Sequence, residues 1–224
     1  MPKSALVAGG TGLVGNHLVN LLVQSNEFNT VKVLVREGSS LTKDGVTTIE
    51  VNYDHFTEYE EKVEADVIFC CLGTTINKAG SKENFRKVDF TFPVELAKMS
   101  LKNGSKQFNI ITAGGANSDS LFFYSRVKGD VERSIAGSGF RATNIFRPSL
   151  LLGKRNEKRF GELAGSVIAK IINPVMIGSM RKYRAIEAEI VAKAMIRISL
   201  AETSGFHVYE SDKIQKLGEE YERK

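Results

Sequence analysis

A cluster of four glycines within residues 9–15 constrains the fold of this chain more than any other feature. The segment reads Gly9-Gly10-Thr11-Gly12-Leu13-Val14-Gly15. It follows an apolar run typical of a β-strand, Ala5–Ala8, and precedes a segment with helical periodicity, Leu13–Gln24. Residues without a Cβ atom let the chain turn sharply and let a helix lie close to a strand. The sequence therefore predicts a strand–turn–helix unit at the start of the chain.

Three glycine templates fit this segment, and they predict different ligands. Gly10 and Gly15 have the spacing of a P-loop, but Asn16-His17 stands where that loop needs Lys-Ser/Thr, which excludes a nucleotide-hydrolysing site of that kind. The patterns Gly10-x-Gly12-x-x-Gly15 and Gly9-x-x-Gly12-x-x-Gly15 both describe a dinucleotide-binding turn, in which backbone N–H groups and the positive end of a helix meet a pyrophosphate. Glycines alone could mark any tight turn. Their place between a first strand and a helix favours nucleotide binding over a purely structural role.

The chain up to residue 148 alternates between strand-like and helical segments. The strand-like runs are Ala5–Ala8, Val31–Val35, Val46–Val51, Asp66–Cys71, Phe108–Ile111 and Thr143–Phe146. The helical segments are Leu13–Gln24, Phe56–Val63, Phe85–Lys102 and Phe122–Ala136. Such alternation predicts βαβ units and an α/β fold with a parallel sheet, and the continuous apolarity of Val67–Leu72 predicts a central strand covered on both faces.

The pattern changes after Phe146. Two helices are expected at Leu163–Ile172 and Ala188–Leu200, separated by Asn173-Pro174, then a short strand near His207–Tyr209 and a polar helix towards Lys224. Since no Gly/Ser/Pro-rich linker separates this part, we expect one domain over residues 1–224, with a cofactor part of about 1–148 and a small α-rich, substrate-side part of about 149–224. That small remainder favours a small-molecule substrate over a polymer.

Composition excludes several classes of protein. The chain has 224 residues, 42% hydrophobic and 25% charged, close to the globular average, with a net charge of +5. No apolar run approaches the ~18 residues of a membrane helix, and no signal peptide is recognisable. Cys70 and Cys71 are adjacent, which excludes a disulfide framework, and thiols on a central strand are more often apolar filler than a redox switch.

The positions of the histidines and of the charged residues argue against a metal site, a nucleic-acid partner and a membrane surface. His17, His55 and His207 lack the spacing of metal ligands, so we expect no metal. The longest basic stretch, Lys154–Arg159, contains an acid, and it either meets an anionic substrate or forms a solvated loop. We therefore expect a cytoplasmic protein that binds neither nucleic acid nor a membrane, and the sequence leaves open a protein partner and the oligomeric state.

Arg36 follows the second strand, where a site for NAD usually has an acid that holds the ribose hydroxyls. The planar guanidinium suits the 2′-phosphate of NADP, and the hydroxyls of Ser39-Ser40 could assist. Glu37 counts against this interpretation, and the alternative is a solvent-facing arginine. The sequence favours NADP(H) over NAD(H).

A second constellation is the segment Tyr124-Ser125-Arg126-Val127-Lys128. Residues four apart share one face of a helix, so the phenol and the ammonium point into the same cleft. A free phenol has a pKa near ~10, and a neighbouring cation favours the phenolate, which brings such a group towards acid–base work at neutral pH. Thr112, at the end of the preceding strand, could hold the substrate oxygen. Tyr209 and Lys213 have the same spacing, but no catalytic context surrounds them.

The chain resembles the short-chain dehydrogenase/reductase superfamily in its atypical, extended-like branch. The resemblance rests on the turn Gly9–Gly15, the Tyr124/Lys128 pair and the step Phe146-Arg147-Pro148. More narrowly, the segments Phe69–Thr75, Lys78–Gly80, Val88-Asp89 and Arg155–Glu162 are similar to the Tat-interacting-protein oxidoreductase family. The resemblance implies a Rossmann-type doubly wound parallel sheet, bound NADP(H) and a catalytic Tyr/Lys pair.

The resemblance also implies roles for individual residues. The implied cofactor contacts are Gly9, Thr11, Gly12, Leu13 and Val14 at the pyrophosphate, Arg36 at the 2′-phosphate, Asn52 near the adenine, Leu72, Gly73 and Thr74 along the path to the nicotinamide, and Arg147 and Pro148 beside it. Tyr124 and Lys128 also belong to the cofactor site, and Thr112 completes the catalytic trio. Two departures stand out: Asn52 replaces the usual acid, and Thr112-Ala113 offers one hydroxyl where relatives often have a serine pair.

Two functions follow from these residues. The leading hypothesis is an NADP(H)-dependent oxidoreductase that moves hydride to or from a small carbonyl or alcohol. The alternative is a non-catalytic NADP(H)-binding redox sensor or scaffold that acts through a protein partner. The intact Tyr124/Lys128 pair favours the enzyme, because a sensor does not need it.

Overall fold

The computed structural model describes residues 2–39, 41–153, 178–201 and 203–221. Several sequence predictions fall outside these residues: the serine at 40, the basic stretch 154–159, the helix expected at 163–172, the break at 173–174 and the end of the last helix. The strands are β1 (Lys3–Ala8), β2 (Phe28–Arg36), β3 (Val46–Val51), β4 (Val67–Cys70), β5 (Gln107–Ile111), β6 (Ala142–Arg147), β7 (Leu151–Leu152), β8 (Ile186–Glu187) and β9 (Gly205–Glu210).

Seven of these strands form one sheet in the order β3-β2-β1-β4-β5-β6-β9, and β7 pairs with β8 in a separate two-stranded ladder. Every pairing between neighbours in the large sheet is parallel. The strand order reverses direction between β1 and β4, and ligands of doubly wound sheets bind outside the carboxyl ends of the strands at such a point. The predicted Rossmann-type parallel sheet is confirmed.

Helices cover both faces of the sheet. They are α1 (Leu13–Gln24), α2 (Ile76–Ala79), α3 (Lys82–Arg86), α4 (Phe92–Lys102), α5 (Phe123–Ala136), α6 (Ala188–Leu200) and α7 (Ser211–Tyr221). Strand side chains alternate between the two faces. Val7 and Phe69 therefore pack towards α1 and α6, whereas Leu6 and Ile68 pack towards α4 and α5. The predicted central strand β4 is buried along its whole length, as the apolar run required.

Two predicted helices differ from the expectation. The segment Phe56–Val63 overlaps a 3-10 helix, Tyr53–Lys62, which is kinked at His55 and has Val63 as its C-cap residue. The single helix expected over Phe85–Lys102 consists of α3, a π-helical turn at Lys87–Thr91, and α4.

Pro93 explains the π-helical turn. A proline within an α-helix has no N–H to donate, and its ring would clash with the carbonyl group four residues earlier, which here belongs to Asp89. The wider turn before α4 avoids that clash. It also places Asp89, a charged residue, in the interior of the protein.

The part of the chain after residue 178 joins the same architecture. The predicted helix Ala188–Leu200 forms as α6 with these bounds and packs on α1 and the sheet. The predicted strand near His207–Tyr209 is β9, which pairs with β6 and extends the sheet. Among the described residues, no helix is both long and apolar enough to cross a membrane.

Candidate functional site

The glycine turn connects β1 to α1 at the carboxyl edge of the sheet. Gly9 has a φ of +83°, a backbone conformation that residues with a Cβ atom rarely adopt. A Cβ atom on Gly9 would also lie 2.6 Å from the carbonyl oxygen of Cys71, because the turn presses against the loop that follows β4. The Cys71 N–H donates to Ala8 O at 2.8 Å and fixes the two segments together.

The start of α1 fits a bound pyrophosphate. Gly12 is the N-cap residue and supplies no side-chain acceptor to the first turn of the helix, and no acid lies in that turn. The N–H groups that open the helix are therefore free of a side-chain cap, and the helix dipole adds positive charge there. Thr11 and Gly12 are exposed, whereas Val14 is buried and can offer only its backbone. Leu13 packs beside Gly153.

Arg36 is exposed at the carboxyl end of β2, one strand away from the glycine turn. The Ser39 N–H donates to Arg36 O at 2.8 Å and closes a tight turn beyond it. The carboxylate of Glu37, which counted against an NADP site, accepts from Asn52 Nδ2 at 3.2 Å. Asn52 Oδ1 in turn accepts from the Asp54 N–H at 3.0 Å. The Asn52 side chain thus ties the ends of β2 and β3 together.

The loop Leu72–Thr74 lies between the glycine turn and α5. A Cβ atom on Gly9 would lie 2.9 Å from Leu72 N, and a Cβ atom on Gly73 would lie 3.8 Å from Lys128 Nζ. This series of close approaches brings together the glycine turn, the loop after β4 and the Tyr124/Lys128 pair, three predicted parts of the site.

Tyr124 and Lys128 lie in the first two turns of α5 and differ in exposure. Tyr124 is 41% exposed, and its ring rests against the buried ring of Phe85 with the centroids 5.7 Å apart. Lys128 is only 4% exposed. Burial strongly opposes the charge of Lys128, but Asp89 and Tyr124 outweigh it, so the pKa of Lys128 is raised above its ordinary value. Lys128 is therefore a buried ammonium one helical turn from an accessible phenol.

Asp89 is a site residue that reasoning from the sequence missed. Its Oδ1 lies 2.7 Å from Lys128 Nζ, and its Oδ2 accepts from the Thr74 N–H at 2.9 Å. The segment Val88-Asp89 appears in the family resemblance, but a single acid in a helical segment is usually on the surface. Pro93, four residues later, is the signal that could have indicated an irregular turn here.

Thr112 and Arg147 point towards a different group of side chains. The Thr112 hydroxyl donates to Glu132 Oε1 at 2.6 Å, and Arg147 Nε donates to the same oxygen at 3.0 Å. Arg147 Nη1 also donates to Glu210 Oε1 at 3.0 Å. The hydrogen bonds to Glu132 chiefly raise the pKa of Arg147 above its ordinary value. Two carboxylates therefore bind the Arg147 guanidinium, Glu132 of α5 and Glu210 of β9. The hydroxyl proton of Thr112 is donated to Glu132.

The second Tyr-x-x-x-Lys match has no comparable geometry. Tyr209 lies on β9 and stacks on Phe146 with the ring centroids 5.2 Å apart, whereas Lys213 lies on α7. Because the two residues belong to different elements, the rule that residues four apart share a helix face does not apply to them.

Two further predictions concern cysteines and metals. Both cysteines are free, and burial raises the pKa of the Cys70 thiol to about 12, which disfavours a reactive thiolate. Within the ranges that the structure covers, no group of three or more His, Cys, Asp and Glu side chains is arranged to hold a metal ion.

Comparison with known proteins identifies relatives over nearly the whole chain. Residues 9–168 match the protein family described as NAD(P)H-binding. The chain is 31% identical over 225 residues to the protein fmp52 of Aspergillus fumigatus, whose name describes it as mitochondrial, with 97% of this chain and 95% of that protein covered. It is 30% identical over 223 residues to HTATIP2 of Rattus norvegicus, with 97% of this chain and 90% of that protein covered.

The fold is shared with solved structures at much lower identity. The enzyme WbmH of Bordetella bronchiseptica, crystallised in complex with NAD+, superposes with a TM-score of 0.70 at 13% identity, covering 97% of this chain and 79% of that one. At this identity the likeness shows the fold alone. The resemblance predicted from the sequence is confirmed: the chain belongs to the NAD(P)H-binding family, and its relatives over nearly the whole chain include HTATIP2 and FMP52.

Proposed function

We propose that the protein is an NADP(H)-dependent oxidoreductase that transfers hydride to or from a small carbonyl or alcohol. The observation that carries this proposal is the buried, charged Lys128 one helical turn from the exposed Tyr124, at the edge where the glycine turn opens α1. A buried cation beside an accessible acid–base group is typical of a catalytic site.

The chemistry assigned to this chain is proton transfer and orientation. A bound nicotinamide supplies the hydride in reduction and accepts it in oxidation. In reduction, Tyr124 Oη donates its proton to the carbonyl oxygen of the substrate, and the Lys128 ammonium stabilises the phenolate that remains. In oxidation the same proton moves from the alcohol to Tyr124. The backbone of residues 9–14 and of the Leu72–Thr74 loop would hold the cofactor.

Thr112 is the weakest member of the predicted trio. Its hydroxyl has one proton, which it donates to Glu132, so Thr112 can assist a substrate oxygen only after its hydroxyl rotates. The next residue, Ala113, offers no hydroxyl. Tyr124 is therefore the principal donor in this proposal, and Arg147 acts on the site indirectly, because its guanidinium is bound to Glu132 and Glu210.

A preference for NADP(H) rests on Arg36. Its exposed guanidinium lies at the end of β2, and Glu37, the nearby acid, accepts a hydrogen bond from Asn52. Arg36→Ala should weaken NADPH binding about tenfold or more and change NADH binding little, because only NADPH carries the 2′-phosphate. Arg141→Ala is the control, since Arg141 is also exposed but precedes β6 at the opposite edge of the sheet. Equal losses for NADPH and NADH would contradict the assignment.

The activity is tested with Tyr124→Phe, which removes the hydroxyl and keeps the ring that packs on Phe85. NADPH oxidation with a panel of aldehydes, ketones and quinones should fall about 100-fold or more, while the dissociation constant for NADPH stays within about twofold. Tyr209→Phe is the matched control, because Tyr209 has the same spacing to a lysine, and it should keep full turnover.

The alternative, a non-catalytic NADP(H) sensor that acts through a protein partner, has one observation in its favour. The Thr112 hydroxyl is bound to Glu132, which leaves the substrate oxygen with Tyr124 as its main donor. If the wild-type protein binds NADPH tightly and oxidises it with no member of the panel, the sensor replaces the enzyme as the better account.

The cellular location is a further proposal. We infer a cytoplasmic protein from the sequence, whereas the fungal relative is named mitochondrial. Imaging of the protein with a fluorescent tag at either end separates the two locations.

A further inference from the structure

The exposed apolar side chains of the described residues are concentrated at one edge of the sheet. These large apolar or aromatic side chains are Ile76, Leu121, Phe122, Tyr124, Leu150, Met180, Tyr183 and Phe206. Within the described ranges, all of them except Phe206 lie on segments that follow the carboxyl ends of β4, β5 and β6 or lead into β8. The Ile186 N–H donates to Leu150 O at 2.9 Å and joins the last two of these segments. This is the edge at which doubly wound sheets bind their ligands.

Leu121 and Phe122 are the most exposed of these side chains. Leu121 is 94% exposed and Phe122 is 77% exposed. The segment Ser120–Ser125, which contains both residues and Tyr124, has no charged side chain. A single exposed apolar residue needs no explanation, but two in succession beside the proposed acid–base group do. An uncharged and largely apolar segment therefore leads directly to Tyr124.

The stability of α5 does not explain either residue. Phe122 is the N-cap residue of α5 and makes no side-chain cap hydrogen bond, at a position where Ser, Thr, Asp and Asn stabilise a helix. Leu121 precedes the N-cap, where an apolar side chain often packs against the fourth residue of the helix. That residue is Arg126, and Leu121 is too exposed to pack on it. Both apolar side chains occupy positions where the helix itself gains nothing from them.

Hydrogen bonds hold this segment in its exposed conformation. Arg126 Nη1 donates to Ser120 O at 2.9 Å and to Leu121 O at 3.3 Å. The Phe122 N–H donates to Ser120 Oγ at 3.1 Å. Backbone and side-chain bonds on both sides of Leu121 thus fix the chain there. The exposure of the two apolar side chains is therefore a built feature of the loop before α5.

The cations that contact this segment are engaged by the segment's own groups. The guanidinium of Arg126 donates to the two backbone carbonyl groups, and Lys82 Nζ lies 5.5 Å from the centroid of the Phe123 ring. A cation over an aromatic face is attracted by the ring itself. These contacts favour a neutral ligand beside Leu121 and Phe122 over one with a carboxylate or a phosphate group.

We propose that the substrate is a neutral carbonyl compound or alcohol with an apolar chain, and that Leu121 and Phe122 bind this chain while the carbonyl oxygen meets Tyr124 Oη. This inference rests on the proposed oxidoreductase function and names its substrate class. The reaction is unchanged: the carbonyl carbon gains a hydride from NADPH, the oxygen gains the proton of Tyr124, and the products are the alcohol and NADP+.

The length of the apolar chain should set the specificity. Complete burial of one CH2 group strengthens binding about fourfold, and contact on one side strengthens it about twofold. In the wild type, kcat/KM for straight-chain aldehydes should therefore rise about twofold for each CH2 group added between propanal and nonanal.

The test uses the double variant Leu121→Ser/Phe122→Asn. Because Asn is a favourable N-cap residue, the variant should melt no earlier than the wild type. Its kcat/KM for propanal should stay within about twofold of the wild-type value, whereas the gain for each CH2 group should fall below about 1.3-fold. Phe206→Ser is the control: it also removes an exposed apolar side chain, at the amino end of β9, and should keep the wild-type dependence on chain length.

Three results would overturn the inference. One is a kcat/KM that does not rise with chain length in the wild type. Another is a double variant with the wild-type dependence on chain length, or with an equal loss for propanal and nonanal. The last is cosedimentation with phosphatidylcholine vesicles that requires Leu121 and Phe122, in the absence of any dependence on chain length, because the two residues would then bind a membrane surface.

A binding measurement distinguishes failure of this inference from failure of the proposed function. NADPH-loaded protein is titrated with butanol and with decanol by calorimetry, because the reduced cofactor cannot accept hydride from either alcohol. Decanol should bind about tenfold or more tightly than butanol to the wild type, and the double variant should lose this difference. If no aldehyde is reduced but the difference is present, the oxidoreductase fails and the apolar binding surface stands. If the difference is absent, the inference fails whatever the turnover.

Discussion

Gly15 lies so close to Gly9 that a Cβ atom on Gly15 would be 2.1 Å from the Gly9 carbonyl oxygen. The obstacle is backbone, which cannot move aside as a flexible side chain can. The first turn of α1 therefore rests directly on the glycine turn, and a side chain at position 15 would push the two apart. This contact explains why the spacing of the glycines, and not only their number, matters at this position.

The first prediction follows from that contact. Gly15→Ala should weaken NADPH binding by about tenfold or more, because the start of α1 can no longer approach the pyrophosphate. Gly137→Ala is the control, since Gly137 follows α5 and a Cβ atom there would meet nothing within 4 Å. Titration of NADPH fluorescence measures both variants, and equal affinities in Gly15→Ala and Gly137→Ala would show that the close contact is unimportant for the cofactor.

A second prediction concerns Glu132, which holds both Thr112 and Arg147. Glu132→Gln keeps the shape of the side chain and removes its charge, so that among the described residues the partly exposed Arg147 keeps Glu210 as its anionic partner. The free energy of unfolding should fall by about 1–2 kcal/mol, less than for a fully buried pair. The exposed ion pair of Asp119 with Arg133 provides the comparison: Asp119→Asn should cost less than ~1 kcal/mol. Urea unfolding measures the loss of free energy of unfolding in both variants, and equal losses would contradict the prediction.

A third prediction concerns acid sensitivity. The backbone N–H and the hydroxyl of Ser4 both donate to Asp66 Oδ2, at 2.9 and 2.7 Å. These two bonds chiefly lower the pKa of Asp66 below its ordinary value of 3.8. The pKa of Asp66 is lower in the folded than in the unfolded state. The stabilisation is therefore fully present at pH values above the unfolded-state pKa, and it is lost as the pH falls through the folded-state pKa.

Asp66→Asn should therefore be less stable than the wild type at pH 7, and the difference should shrink as the pH falls below 3.8. Urea unfolding at a series of pH values measures this. Asp44→Asn, at an exposed position between β2 and β3, controls for the loss of one carboxylate. The difference in the free energy of unfolding between wild type and Asp66→Asn could instead stay constant down to acid pH. That result would exclude a contribution of the lowered Asp66 pKa to stability.

The sequence predicts most of the sheet because each strand, turn and helix is indicated by the pattern of a few neighbouring residues. Runs such as Val31–Val35 and the glycine turn reveal strand, turn and helix within a few residues. The Tyr124/Lys128 pair is equally local, since one turn of helix suffices to place both side chains on one face. The confirmed parts of the fold depend on periodicities of this kind.

The side-chain network around the site could not be predicted in the same way. Thr112, Glu132 and Arg147 come from β5, α5 and β6, and only the register of the strands and the packing of the helix bring them together. Asp89 is hidden for a different reason. Its burial depends on the π-helical turn before Pro93, and helical periodicity assumes a regular helix through that point.

Isotope transfer tests the central claim, that this site supports hydride transfer with Tyr124 as the proton donor, most directly. The measurement uses NADPH deuterated at the transferring position of C4 and the carbonyl compound that the wild type reduces fastest, with mass spectrometry of the product. The account predicts one deuterium in the product of the wild type and about 100-fold less deuterated product from Tyr124→Phe at equal cofactor occupancy. Tight NADPH binding without deuterium in any product, or undiminished transfer by Tyr124→Phe, would contradict it.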